Sequence, residues 1–345
     1  MLDGRINRVS NTLALRVQQR IDSKTKPLGA LGRLESLAHQ ICMVQGRLNP
    51  ELRNPTLLVC AGDHGIAAEG VSAYPAEVTH QMVLNYLAGG AAINVFARAN
   101  GFALHIADAG VNHDFAGVQG LIPAKVRAGT RNFLREPAMT AAECTLALQN
   151  GALQVRHFHA GGSNIIAFGE MGIANTSSAA VLASLLRGLP LAQCVGRGTG
   201  LDDAGLARKQ AVLARAVEHH GRIDNPLDVL RTFGGYEIAM IAGGIMEAAA
   251  RRMLILIDGF IVTAALAAAC ALRPDVLPFC IFAHRSDENG HAALLASLEA
   301  RPLLDLQLRL GEGTGAALAY PLVKAAVAFM NEMASFESAA VSNKE

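Results

Sequence analysis

Met253-Leu-Ile-Leu-Ile257-Asp258-Gly259-Phe260-Ile-Val-Thr-Ala-Ala-Leu-Ala-Ala-Ala-Cys-Ala-Leu272 has the length of a membrane span, which takes about 20 apolar residues. Asp258 and Gly259 interrupt it, however, and Pro274 follows it. It therefore reads as a buried strand, a turn and an alanine-rich helix. A strand with apolar side chains on both faces, running straight into a helix, is the repeating unit of a parallel sheet covered on both sides.

The same alternation recurs on either side of this stretch. Short apolar runs at Thr56–Cys60, Ala103–Ala107, Asn164–Phe168 and Leu277–Phe282 predict further strands. Between them, Ala76–Ala99, Thr140–His157, Ser177–Leu186 and Ala204–His219 carry helical spacing. The fold class expected is α/β, a doubly wound, mostly parallel sheet with helices on both faces. The first 50 residues predict two helices broken at Lys26-Pro27-Leu28-Gly29, and Thr314–Ala334 predicts a last helix. The expected organisation is a small helical domain from both termini (1–50 with 314–345) beside a large α/β domain (51–313). A chain of 345 residues has room for both at roughly 150 residues per domain.

Composition excludes several classes. Hydrophobic residues make up 51% and charged residues 17%, which points to a large core and away from disorder. The net charge of +1 gives no basic excess for nucleic acid. With no Trp and 5% aromatic residues, base-stacking platforms are not expected either. The six cysteines form no CxxC pair and read as reduced, buried thiols of a cytoplasmic protein. Met1–Ser10 has no apolar core of the kind a secretory signal needs. The eleven histidines show no metal-ligand spacing and no HExxH, so no metal is expected. Neither a G-x-S-x-G elbow nor a G-x-x-x-x-G-K-[ST] loop is present.

The strand ends carry the chemistry. In open α/β sheets ligands bind beyond the carboxyl ends of the strands. Each predicted strand runs into a polar group there: Asp63-His64, Asp108, Glu170, Asp258 and His284-Arg285-Ser286. Five such ends suggest one shared binding rim. Gly169-Glu170-Met171-Gly172-Ile173-Ala174-Asn175-Thr176-Ser177-Ser178 is a strand–loop–helix junction. Its glycines allow backbone amides to approach a ligand, and Thr176, Ser177 or Ser178 can cap a helix that favours an anion. Gly196-Arg-Gly198-Thr199-Gly200 is a second glycine cluster, but Leu201 stands at the third glycine of a dinucleotide fingerprint. In Arg309-Leu310-Gly311-Glu312-Gly313-Thr314-Gly315 a carboxylate sits between glycines before a helix. It can complement the helix dipole or serve as a general base once burial raises its pKa.

Taken together, Lys26-Pro27-Leu28-Gly29-Ala30-Leu31-Gly32-Arg33-Leu34-Glu35, Ala61-Gly62-Asp63-His64-Gly65, Gly169 to Thr176, Asp258-Gly259-Phe260 and Arg309 to Gly315 resemble the nicotinate-nucleotide–dimethylbenzimidazole phosphoribosyltransferase family. The segments occur in the family's order and span most of the chain. Two positions depart from the family pattern: Ala30 replaces a usual Ser, and Tyr74 stands where some members carry Ser at the mouth of the base pocket.

The resemblance implies a homodimeric enzyme without a cofactor. It implies transfer of 5-phosphoribose from nicotinate mononucleotide to 5,6-dimethylbenzimidazole, giving α-ribazole 5′-phosphate and nicotinate for the lower ligand of cobalamin. It implies Glu312 as catalytic base and Glu170 as second carboxylate. Gly172, Asn175, Thr176, Gly198, Gly200, Lys209, Asp258, Ser286, Arg309, Gly311, Gly313 and Tyr74 are then expected to bind substrate. Two other classes compete: a dinucleotide-dependent oxidoreductase, and a non-catalytic nucleotide-binding protein on the same fold. The failed fingerprint at Gly196–Leu201 opposes the first, and intact Glu170, Lys209 and Glu312 oppose the second.

Overall fold

The apolar run after Pro55 forms the first strand, β1 (Thr56–Gly62), in the computed structural model, which describes residues 11–342. It is followed by β2 (Ala103–Gly110), β3 (Leu121–Pro123), β4 (Ile165–Met171), β5 (Leu254–Ile257) and β6 (Cys280–Phe282). They make one six-stranded sheet in the order β3-β2-β1-β4-β5-β6, with every neighbouring pair parallel. From β1 the chain winds outward to β3, then crosses back and winds the other way through β4 to β6. The reversal lies between β1 and β4, where Cys60 faces Glu170 across the ladder. This is the doubly wound α/β architecture.

Burial shows that both faces of the sheet are covered. Successive side chains on a strand point to opposite faces, yet every residue of β1 and β5 is buried. Helix Tyr236–Ala250 packs on β1, β2, β4 and β5 and on helix Ala141–Ala160. The two helices touch closely because Gly151 lies against the Met240 carbonyl, with no room for a Cβ. The Met253–Leu272 stretch resolves into β5, the Asp258-Gly259 turn and helix Phe260–Leu272. No helix among the described residues is long and apolar enough to cross a membrane.

Three details differ from the sequence reading. The stretch Ala76–Ala99 is two helices, Val78–Ala88 and Ala92–Asn100, because Gly89 takes a left-handed φ of 81° and closes the first. Leu277–Phe279 belongs to a 3-10 turn, since Pro278 lacks the amide a central strand requires, so β6 starts at Cys280. β3 has only three residues at the sheet edge and too little apolar pattern to stand out.

The terminal helices Asn11–Asp22, Arg33–Gln45 and Thr314–Glu332 meet, with Arg33–Gln45 packed on both others. Lys24 and Ser335 bridge antiparallel where the two ends of the chain pass each other. The Lys26–Glu35 segment closes on itself through an ion pair of 2.8 Å between those two residues. Helix Thr314–Glu332 also packs on helix Ala92–Asn100 and on β4, which brings its first turn to the end of the sheet. Residues 1–10 and 343–345 of the expected terminal unit lie outside the described residues.

Candidate active site

A cleft of about 660 Å³ opens at the carboxyl ends of β4, β5 and β6, beside the reversal between β1 and β4. Such a crevice is where doubly wound sheets bind ligands. The end of β4 and its loop contribute Glu170, Gly172, Asn175 and Thr176. The turn after β5 contributes Asp258, and the loop after β6 contributes Ser286 and Glu288. Gly198 comes from the second glycine cluster, and Arg309, Gly311 and Glu312 come from the turn before the last long helix. Tyr74, 53% exposed, stands at the rim.

Three acidic side chains meet at the inner end. Glu170 is buried, and burial pushes its carboxyl up to about 8, against the hydrogen bond it accepts from Asn175 Nδ2. At neutral pH it is therefore mostly the neutral acid. Glu312 is buried too, and burial raises its pKa. The Ile93 amide donates to its Oε2 at 3.3 Å, and the Tyr86 hydroxyl, buried nearby, favours its charged form without reaching full bonding geometry. Gly311 lets the two glutamates approach, because a Cβ there would lie 2.2 Å from Glu170 Oε1. Glu312 itself holds a left-handed φ of 63°, a conformation a non-glycine residue adopts at a cost of roughly 1 kcal/mol or more.

Asp258 has a different task. Its Oδ1 accepts from the Ala316 amide at 2.8 Å and its Oδ2 from the Gly313 amide at 3.2 Å. It thus caps the helix that Glu312 precedes. Gly313 does not line the cleft and acts through this bond.

The other end of the cleft is suited to an anion. Thr176 lies in the first turn of helix Asn175–Arg187, and the first turn of helix Phe260–Leu272 also borders the cleft. Helix starts present free amides and partial positive charge. Lys209 stands one layer behind the lining, fully buried, with Nζ 2.8 Å from Thr176 Oγ1 and 3.2 Å from the Gly196 carbonyl. Burial lowers its pKa to about 8. The Ser286 amide donates to His291 Nδ1 at 2.8 Å, which fixes its loop, and burial holds that imidazole at about 3 and so neutral. Arg309 is exposed on the cleft wall. Gly200 is not part of the lining, and a Cβ there would meet nothing within 4 Å. Between the two ends, Val78, Met82, Ile173, Phe260 and Leu310 form an apolar wall.

The rim expected from five strand ends is narrower than that. The ends of β4, β5 and β6 line the cleft; those of β1 and β2 are structural. Asp63 Oδ2 accepts from the Asn112 amide at 2.8 Å, and Asp108 Oδ1 from the Val111 amide at 2.9 Å. His64 is sealed inside, with Nδ1 3.0 Å from Ser178 Oγ and Nε2 2.6 Å from Glu237 Oε1. Sequence reasoning did not single out Glu288, Tyr86 or Glu237. Glu237 carried a signal, as one of two acids, with Glu247, in a largely apolar helix.

The strand order is shared with dinucleotide-binding sheets, but β1 runs into Ala61-Gly62-Asp63-His64-Gly65, which lacks their fingerprint. Comparison with known proteins decides the family. Residues 6–341 match the family model DBI_PRT, described as a phosphoribosyltransferase. The chain belongs to the nicotinate-nucleotide–dimethylbenzimidazole phosphoribosyltransferase family. A protein of that name from Dechloromonas aromatica (strain RCB) is 60% identical over 332 residues, covering 95% of each chain. Another from Cupriavidus taiwanensis is 60% identical over 326 residues and 94% of each chain. Among solved structures, CobT from Thermus thermophilus superposes with a TM-score of 0.93 at 45% identity, over 96% of this chain and 100% of the other. Membership makes this chain a phosphoribosyltransferase.

Proposed function

We propose that the chain transfers 5-phosphoribose from nicotinate mononucleotide to 5,6-dimethylbenzimidazole, giving α-ribazole 5′-phosphate and nicotinate for the lower ligand of cobalamin. The observation that carries this reading is the pairing of Glu312 with an anion-binding end across one apolar-walled cleft. In it the 5′-phosphate lies by Thr176, Gly198, Ser286 and Lys209, with Arg309 covering it. The flat base stacks along Ile173, Leu310 and Met82, with Tyr74 over the entrance.

The chemistry asks little beyond these groups. The glycosidic nitrogen of nicotinate mononucleotide is cationic, so the C1′–N bond breaks with its electron pair going to the pyridine ring and no acid is needed. One benzimidazole nitrogen forms the new bond to C1′, and Glu312 takes the proton from the other. Glu170, protonated, adds no further negative charge beside the base. Aligning two bound reactants supplies on the order of 7–11 kcal/mol of the barrier, and general base action a further factor of about 10²–10⁴. The assembly we propose is a cytoplasmic homodimer, with residues 1–50 and 314–345 as a helical unit beside the α/β domain 51–313.

The test is direct. Purified protein is incubated with nicotinate mononucleotide and 5,6-dimethylbenzimidazole, and both products are followed by chromatography. Equimolar nicotinate and ribazole phosphate support the reading. Nicotinate alone means hydrolysis or another acceptor, and neither product from folded protein sinks it.

A further inference from the structure

Glu288 reaches into the anion-binding end of the cleft. The Gly198 amide donates to its Oε1 at 2.9 Å. Its carboxylate lies flat on Gly196, where a Cβ would come 2.8 Å from Oε1 and 3.0 Å from Oε2. It lines the cleft together with Thr176, Gly198 and Ser286. Lys209 Nζ, just behind, is bonded to a hydroxyl and a carbonyl, both neutral, and Glu288 is the acid whose charge acts on it. One carboxylate therefore occupies a donor amide and balances a buried ammonium at the place where the proposed reading puts a phosphate. A dianionic phosphate and a carboxylate repel each other over so short a distance and compete for the same amide.

We infer that Glu288 is the built-in counter-ion of this subsite, displaced from Gly198 by the substrate's phosphate. The inference rests on the proposed reading. A nucleoside without the phosphate offers nothing that replaces the carboxylate, so Glu288 stays in place and the subsite stays closed to it. A nucleotide brings the stronger anion, takes over the Gly198 amide and becomes the partner of Lys209. Glu288 then turns toward the open side of its loop, where Asp287 and Asn289 are exposed. The residue thereby lowers the affinity for nucleotide.

The experiment compares the wild-type protein with Glu288→Gln, which keeps the shape and removes the charge. Calorimetry measures Kd for nicotinate mononucleotide and for inorganic phosphate. Steady-state kinetics measures KM for each substrate. The variant should bind both anions roughly tenfold more tightly, the order expected from removing one like charge in a partly screened site, with KM for the benzimidazole unchanged. Unchanged affinity overturns the inference. Weaker affinity also overturns it and makes Glu288 a clasp that shapes the Gly196–Gly198 loop. Should the variant fail to fold, the amide resonance of Gly198 in the wild-type protein decides. It should shift with phosphate saturation, and an unperturbed resonance overturns the inference. Wild-type protein that binds neither anion removes the phosphoribosyl reading itself. Binding by wild type without tightening in the variant removes only the role of Glu288.

Discussion

Gly169 of β4 lies directly against the backbone carbonyl of Glu312, so closely that a Cβ on Gly169 would come within 2.1 Å of that oxygen. The contact is backbone to backbone, and no side-chain rotation relieves it. It pins a turn whose central residue already holds an unfavourable φ. Gly169→Ala should therefore push the Glu312 turn away from the strand. Overpacking of this kind costs about 1–3 kcal/mol of stability. The cost in rate should be larger, near 10²-fold in kcat, since a displacement of about 1 Å at a reacting group has that effect. Circular dichroism and a urea melt check that the sheet survives. Wild-type kcat in a folded variant would mean the turn tolerates displacement.

Glu312→Gln should remain folded and lose about 10²–10⁴-fold in kcat, the usual contribution of a general base. A base works in its deprotonated form, and burial raises the pKa of Glu312. The rate should therefore climb with pH along an acid limb placed above the ordinary glutamate value of about 4.3. The residual activity of the variant should lack that limb. A wild-type limb at or below the ordinary value would show that the carboxylate is not desolvated during turnover.

Much of this was legible in the sequence because burial on both faces leaves a plain mark. The runs that became β1, β4 and β5 are continuous and apolar; Glu170 stands at the end of β4, and Asp258 and Ser286 follow β5 and β6, the strands whose ends line the cleft. Helix Tyr236–Ala250 left no amphipathic period, since it is buried nearly all round. Spacing could not separate Glu170 and Ser286, which face the cleft, from Asp63 and Asp108, which satisfy local amides. Both kinds are polar residues at strand ends, and only the winding direction on either side of β1 tells them apart. Glu288 was hidden for another reason. Its partners, Gly196 and Gly198, are about 90 residues away, and no local pattern connects them.

Replacing Glu170 by Gln should stabilise the protein at high pH relative to the wild type. The folded-state pKa of Glu170 is raised to about 8, while the unfolded chain titrates near 4.3. Between those values the native state keeps a proton that the unfolded state has lost. The stability it contributes is full below about pH 4.3 and is lost as pH rises through 8. Gln cannot ionise and still accepts the Asn175 bond. The stability of Glu170→Gln minus that of wild type, from urea unfolding, should thus grow between pH 5.5 and 8.5 by a few kcal/mol. A pH-independent difference would mean that Glu170 titrates normally in the folded protein.

Asp258 joins the sheet to the turn that bears Glu312, and its replacement separates two accounts of its role. Its two oxygens take the amides of Gly313 and Ala316, so the carboxylate begins the last long helix from outside. Asn offers one acceptor and turns an NH₂ toward the other amide. The buried N–H left unpaired costs about 1–3 kcal/mol, and the charge that complemented the helix start is gone as well. Stability should fall by about 2 kcal/mol in Asp258→Asn. The turn bearing Glu312 loosens with it, so kcat should drop at least about tenfold while the Kd for nicotinate mononucleotide changes little. Asp258 also faces the cleft, which leaves room for direct contact with substrate. A double-mutant cycle with Glu312→Gln distinguishes the two. If Asp258 acts through Glu312, its replacement costs almost nothing further in kcat once Glu312 has been neutralised, and the coupling is large. Additive losses would instead give Asp258 its own contact with the reacting molecules, with the capping bonds a separate duty.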